Sequence, residues 1–503
     1  MSTSAPSSKS PRLRLKGSPK ERSNSSSGNK HSDSPNNNPA LTAANSAQPS
    51  RTRAHSRPRG PRSNTPNGWL TVPTVVGTFS PLRMPLGLDE HGYSSSVIQR
   101  IVTATARFSS FRDATYAIRM AGIDISESQV RRLAHEVGAE LINERDRKVV
   151  EHRRRQLPTR VAVIPDAVAV EVDGGRLRTR VAGRGPGVHD ARNKEDKVAC
   201  LTTLTSSTYA HDPCPEPPDS FSCPRRVKRL VTQMKGRAGE ANPQEIPDEP
   251  ADPVTDSTAT ATPERWSPTR LVRTCVASME ASSSFGPMMA AEARERHFYE
   301  AKRRAFVADG MAYNWSIHEG YFGDFEPIVD FLHVLCYVYA SAHAVSVDEP
   351  SAWSQYLVWL RACWQGRVED VSGELDAWQT RLGEPPQGEP KSAEERRDPR
   401  RLVSEARSYL RNNQKRMDYP RYRYAGLPTT SSLVESLVGE FNARVKDKRK
   451  HWTRTHGAES ILQLRAAVLS EDDRLPRFFA NRPGCPCRKR QRGGKQSAAQ
   501  TAA

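Results

Sequence analysis

Long hydrophobic runs are missing from this chain of 503 residues. No stretch reaches the roughly eighteen uninterrupted apolar residues that a membrane-spanning helix needs, and no apolar core of the secretory kind stands near Met1. The sequence therefore reads as a soluble, intracellular protein. Cysteine is sparse as well: eight residues, scattered at 200, 214, 223, 275, 336, 363, 485 and 487, in a chain too large to depend on a disulfide framework. Cys485 and Cys487, or His211 with Cys214 and Cys223, are conceivable metal ligands, but neither set has the paired C-x₂-C spacing of a structural zinc site. Aromatic residues are absent from the first 65 positions, where Ser, Pro, Asn, Lys and Arg dominate. Residues 1–66 read as a disordered basic arm and 481–503 as a basic tail, because neither can bury enough surface to offset the entropy of ordering. The stretch 211–264, rich in Pro, Asp and Thr, reads as an inserted loop. No repeat of solenoid length is visible. Acidic charge is in deficit, with 57 Asp and Glu against 76 Lys and Arg and a net charge of +19. That excess points to a polyanionic partner, of which nucleic acid is the usual one.

Apolar residues recur at helical spacing from Tyr93 to Glu144. Val97, Ile98, Ile101 and Val102 mark one helix; Phe111, Ala114, Tyr116, Ala117 and Ile118 mark a second, with Ser109 or Ser110 as its cap. After the tight link Gly122 to Ile125, Ser126 and Gln129 form a capping box for a third helix. Val130, Leu133, Val137 and Leu141 give that helix its buried side, and Gln129, Arg131, Arg132 and His135 point mostly outward. Residues 67–150 thus match a helix-turn-helix region whose last helix enters a DNA major groove, though small bundles with solvated faces produce the same pattern.

Strand period follows. In "AVAVEVDGGRLRTRV", Val168, Val170 and Val172 alternate with Ala169, Glu171 and Asp173, as in a half-buried strand. Gly174 and Gly175 suit a two-residue type I′ turn, with Arg176 to Val181 returning as the paired strand. "RRAFVADGMAYNW" places a second aspartate, Asp309, at the end of an apolar run, again before glycine. In "GLPTTSSLVESLVGEFNARVKDKRKHW", helical spacing of Leu433, Val434, Leu437, Val438 and Phe441 sets Glu435 near a helix start, with Ser431 or Ser432 as cap. Asp-Gly alone is a common turn. Two strand-end aspartates with a glutamate on a late helix can hold two divalent ions, because carboxylate oxygens suit Mg²⁺ or Mn²⁺.

These segments resemble the DDE transposases of bacterial insertion sequences, in particular the ISKra-type branch related to the Mutator-like transposases. "VEVDGGRLRTR" is similar to that family's first catalytic strand, "NKEDKVACLTTL" to the next strand, "FVADGMAYNW" to the second aspartate strand, and the stretch around Glu435 to its glutamate helix. The similarity runs from about Leu70 to Leu475. It implies an α/β chain with an RNase H-like catalytic domain over 160–475, a helical insertion at about 345–420, and Asp173, Asp309 and Glu435 as catalytic residues holding two Mg²⁺ or Mn²⁺ ions. Related enzymes carry a Cys or Asp shortly before a His after the second aspartate; "IVDFLHVLCY" supplies Asp330 and His333, expected on one face of one helix, where they either support catalysis or brace packing. Double-stranded DNA, as element ends and as target, is the implied partner. The implied assembly is at least a homodimer, acting at the bacterial nucleoid. Arg176 and Arg178 on the first hairpin, and Lys446, Arg449 and Lys450 before Trp452, are expected to meet the phosphate backbone, with the indole against a base. A non-catalytic DNA-binding protein and a nuclease that cuts without joining are the rival readings.

Overall fold

A computed structural model of the chain describes residues 88, 92–179, 192–236, 266–388, 390, 392–431, 439–441, 444, 445, 452 and 455–482. Five strands form one mixed sheet: β1 (Ala167–Thr179), β2 (Arg192–Thr205), β3 (Thr269–Ser278), β4 (Arg303–Ala308) and β5 (Glu326–Val329), in the order β3-β2-β1-β4-β5. β1, β2 and β3 pair antiparallel, whereas β4 and β5 run parallel to β1. The chain is therefore mixed α/β.

β1 departs from its expected form in two ways. It does not turn at Gly174 and Gly175 but runs straight through them, pairing Gly174 with Lys197 and Gly175 with Asp196, and on to Thr179 with Arg192. Neither glycine has a positive φ. What Gly175 provides is room, since a Cβ there would stand 2.7 Å from Asp196 Oδ1. Nor is β1 half-buried. Val168, Val170 and Val172 join Leu201, Phe285, Met289 and Phe306 in one core. The opposite face of the sheet, with Leu177, Val198, Cys200, Cys275 and Ala277, joins Ile98, Val102 and Val137 in a second. A central strand covered on both sides leaves alternation with no solvent side to mark.

In chain order the helices are α1 (Ser95–Arg107), α2 (Phe111–Met120), α3 (Glu127–Arg153), α4 (Pro224–Gly236), α5 (Ser282–Glu295), α6 (Ala312–Tyr321), α7 (Phe331–Val345), α8 (Glu349–Trp364), α9 (Val368–Leu382), α10 (Ala393–Arg396), α11 (Pro399–Asn413), α12 (Tyr419–Tyr424), α13 (Thr455–Leu469) and α14 (Arg474–Asn481). The serine caps fall where expected: Ser110 Oγ accepts from the Asp113 amide at 3.0 Å and Ser126 Oγ from the Gln129 amide at 3.2 Å. The third helix, however, is not short. α3 has 27 residues. Its later half lies against α5, where Lys148 reaches Glu292 at 3.0 Å and Glu295 at 2.7 Å, and its middle crosses α13 at Gly138. The front end and the sheet thus share a core.

The first part of the Pro-rich stretch is also built into the protein. Trp364 donates from its indole to the Cys214 carbonyl at 2.8 Å, Arg423 holds Asp212 at 2.7 Å, and Phe221 stacks on Phe331. Its aromatic and buried-arginine partners lie far along the sequence, and no local pattern announces them. Residues 237–265 lie outside the described residues, as do residues 1–66 and the tail after Arg482. Among the described residues, no helix is long and apolar enough to cross a membrane.

Gly138 shows how tight the α3–α13 crossing is, because a Cβ there would meet the Ser460 carbonyl oxygen at 2.6 Å. Gly138→Ala is expected to destabilise the protein in urea unfolding by about 1–3 kcal/mol through overpacking, outweighing a helix-propensity gain of about 1 kcal/mol. At Gly373 in α9 a Cβ meets nothing within 4 Å. Gly373→Ala should therefore raise stability by up to about 1 kcal/mol in the same titration.

Candidate functional site

The register of the parallel strands decides where the aspartates fall. Val172 pairs with Ala308, and Ala308 with Val329, as the last pairs of β1, β4 and β5. The next residue on each strand is an aspartate: Asp173, Asp309 and Asp330. Neighbouring strands lie about 4.8 Å apart, so the three form a row at the carboxyl ends of the parallel strands, the edge at which α/β sheets bind ligands.

Each carboxylate in the row is fixed differently. Asp173 is buried, and its Oδ1 accepts from the Gly174 amide at 2.7 Å. Asp309 is half-buried; its Oδ1 accepts from the Met311 amide at 2.9 Å and from Asn314 Nδ2 at 2.8 Å. Tyr409 donates to the Asp309 carbonyl at 3.0 Å. Gly310 has φ +89°, and a Cβ there would stand 2.7 Å from the Tyr409 ring, so the turn that presents Asp309 requires glycine. Burial pushes the Asp309 carboxyl above the ordinary carboxylate range; His333 and the Met311 amide pull it back, the charge of Asp173 pushes it further up, and Asn314 pulls it down.

Asp330 is fully buried and differs from its expected place. Rather than lying within α7 beside His333, it caps that helix, accepting from the Leu332 amide at 3.0 Å. The same carboxylate accepts from the Ser431 amide at 3.1 Å and the Ser431 hydroxyl at 2.5 Å. Its own amide donates to the Ala308 carbonyl at 2.9 Å, beside Asp309. His333 Nε2 stands 3.8 Å from it, beyond hydrogen-bond reach. Ser431 donates its hydroxyl to Asp330, and the start of the helix it was expected to cap, residues 432–438, lies outside the described residues. Glu435, four positions further on, lies outside the described residues, as do Lys446, Arg449 and Lys450. Among the described residues, no three or more His, Cys, Asp and Glu side chains are grouped to hold a metal ion. The described part of the site supplies two adjacent carboxylates.

The expected DNA-reading face of α3 is only partly presented. Arg131 and Arg132 are exposed, although Arg131 pairs with Glu127 at 2.9 Å and Arg132 bonds to Gln129. Gln129 and His135 are half-buried rather than outward, and the His135 ring lies 6.0 Å from the ring of Phe111 and near Gly457 of α13. Close packing of α3 on α13 turns that side inward. Arg176 and Arg178 stand on the continuation of β1 rather than on a returning strand, and their side chains lie outside the described set. Trp452, expected to face a base, is half-buried against the second core, bridges to Thr179, and donates its indole N–H to the Val445 carbonyl at 2.9 Å. Sequence reasoning missed Asn314 and Tyr409. The signal for Asn314 is its place five residues after Asp309, on the first turn of the helix that follows the turn.

No family model matches the chain, and no match was found among curated proteins.

Asp330→Asn places an amide where three donors converge, so about 2–4 kcal/mol should be lost in urea unfolding, and Ser431→Ala should cost less. Asp309→Asn should act in the opposite direction. A carboxyl whose folded-state pKa is raised weakens the fold once ionised; the penalty is absent below the unfolded-state pKa and complete above the folded-state one. Thermal melts at pH 7 should therefore show Asp309→Asn above wild type, with the difference closing at about pH 3.

Proposed function

We propose that the chain is a DDE transposase that binds the ends of an insertion sequence and cuts and joins DNA with divalent metal ions. The observation that carries this reading is the in-register adjacency of Asp173 and Asp309 at the carboxyl edge of the parallel strands. The strand order, three antiparallel followed by two parallel, supports an RNase H-like sheet, the fold the sequence resemblance implies. The three capped helices α1 to α3, with the left-handed Gly122 link between the last two, support a helix-turn-helix front end.

The residues present suit a cation. Asp309 is half-buried beside a second carboxylate; burial first, and then the charge of Asp173, push its carboxyl up, an environment that added positive charge relieves. Asp173, Asp309 and Glu435 would hold Mg²⁺ or Mn²⁺. The chemistry such ions supply when bound is activation of an attacking hydroxyl and stabilisation of the leaving oxygen. The chain's own groups do the positioning. Asn314 and the Met311 amide both engage Oδ1 of Asp309, which fixes the carboxylate plane. Asp330 ties Ser431, four positions before Glu435 in the sequence, to the strand ends. A water oxygen attacks the phosphorus at the element end and the bond to the 3′ oxygen breaks, leaving a 3′ hydroxyl. That hydroxyl attacks a target phosphodiester in line, the target's 3′ oxygen leaves, and no protein–DNA bond forms.

The test is cleavage and strand transfer on labelled duplexes carrying the sequences that flank the coding region, with Mg²⁺ or Mn²⁺. Wild type should cut and join. Asp173→Asn, Asp309→Asn and Glu435→Gln should each lose at least about 100-fold in both steps, since a metal ligand supports several kcal/mol of charge stabilisation. Undiminished activity in any of the three, or wild type that only binds, defeats the reading; cutting without joining replaces it with a nuclease.

A further inference from the structure

We propose that α4 is a docking surface for the sugar-phosphate backbone of duplex DNA, a surface that rests on the nucleic-acid reading above. α4 divides into two sides. Val227 and Val231 are buried in the first core, and Met234 Sδ lies 3.2 Å from Cys336 Sγ of α7. Arg225, Arg226, Lys228 and Arg229 occupy the remaining circumference, and all four are exposed.

Their clustering on one side of a single helix sets them apart. Several exposed arginines elsewhere are paired: Arg361 with Glu216 at 2.7 Å, Arg367 with Asp370 at 3.1 Å, Arg400 with Asp398 at 2.7 Å, Arg411 with Asp376 at 2.5 Å, and Arg421 with Glu326. Among the described residues no acid lies within ion-pair distance of the four on α4. Four like charges within five residues repel one another, a cost that a row of phosphates converts into attraction through release of condensed counterions.

Position supplies the second argument. The segment leading into α4 stacks Phe221 on Phe331, the first residue of α7, with ring centroids 5.6 Å apart. Cys336 is six residues beyond Asp330, about 9 Å along α7. The basic helix is thus braced on the element that carries Asp330 and His333 at its start. A duplex, with about one charge per 1.7 Å of axis, is long enough to meet α4 while a phosphodiester lies at the aspartate row.

The experiment measures affinity of the full chain for a random-sequence duplex of about 30 base pairs across a salt series. Substituting Arg225, Arg226, Lys228 and Arg229 all by Gln should weaken binding and flatten the slope of log K against log salt by about 2–4, since each phosphate contact contributes about 0.9. A charge-matched variant with Gln at the paired positions 361, 367, 400 and 421 should keep the wild-type slope. The inference is overturned if the α4 variant keeps the wild-type slope, if the charge-matched variant loses as much, if wild type does not bind the duplex, or if vesicles rich in phosphatidylserine are bound in preference. Because this readout needs no cleavage, the two ideas fail separately: α4-dependent binding without strand transfer removes only the transposase reading, and strand transfer with an unchanged slope removes only the surface.

Discussion

The buried carboxylate of Asp330 is the contact on which the geometry of the aspartate row depends. It stands where β5 ends and α7 begins, and it accepts from both the amide and the hydroxyl of Ser431. Its backbone amide closes onto Ala308, the residue before Asp309. One fully buried charge thereby joins four places: the end of β4, the end of β5, the first turn of α7 and the segment leading to Glu435. A buried anion is tolerated only when donors surround it, and three converge here. The whole insertion from α8 to α12 departs and returns between α7 and Ser431, and Tyr409 of α11 reaches back to the row through the Asp309 carbonyl.

A similar use of buried charge secures the front end. Arg444 sits in the interior with its guanidinium donating to the Thr105 carbonyl at 2.9 Å and lying 4.7 Å from the Phe111 ring centroid. Burial, and then the charge of Arg465, pull its pKa down to about 10. Arg465 in turn donates to the Ala106 carbonyl from α13. Both arginines cap the carboxyl end of α1, where helix carbonyls lack partners and the macrodipole favours a cation. The helices that resemble a DNA-reading module are therefore fastened to the second face of the sheet, and motion of one against the other would expose these charges.

What the sequence revealed and what it hid follow from the range of the interactions involved. Serine caps at 110 and 126 and the strand-end place of Asp309 were legible because each depends on residues within five positions. The straight course of β1 through Gly174 and Gly175 was not, because Asp196, which makes glycine necessary, lies on another strand. Trp452 looked like the aromatic end of a DNA-facing basic run; its bond to Val445, and those of Arg444 to Thr105 and Ser109, become visible only when the helices pack. The ordered start of the Pro-rich stretch was hidden for the same reason, since Trp364 and Arg423 supply its contacts from far along the chain.

The aspartates of this protein also allow a comparison within one molecule. Asp348 and Asp398 cap α8 and α11, and their carboxyls lie below the ordinary range, held there first by the hydrogen bonds from Ser351 and Arg400. A cap that serves stability alone behaves in this way, because the donors it satisfies also stabilise its charge. Asp309 accepts two hydrogen bonds of the same kind, yet its carboxyl lies above the range, because it is half-buried and faces the charge of Asp173. A turn could have been closed by the same backbone bond in open solvent without that repulsion. Placing two carboxylates on adjacent strands and withdrawing them from water weakens the fold locally; Gly310 and Tyr409 hold Asp309 in this place, and Asn314 and the Met311 amide relieve only part of the cost. Such a departure from the consistency seen at the other caps is what the proposed cation site leads one to expect of Asp309.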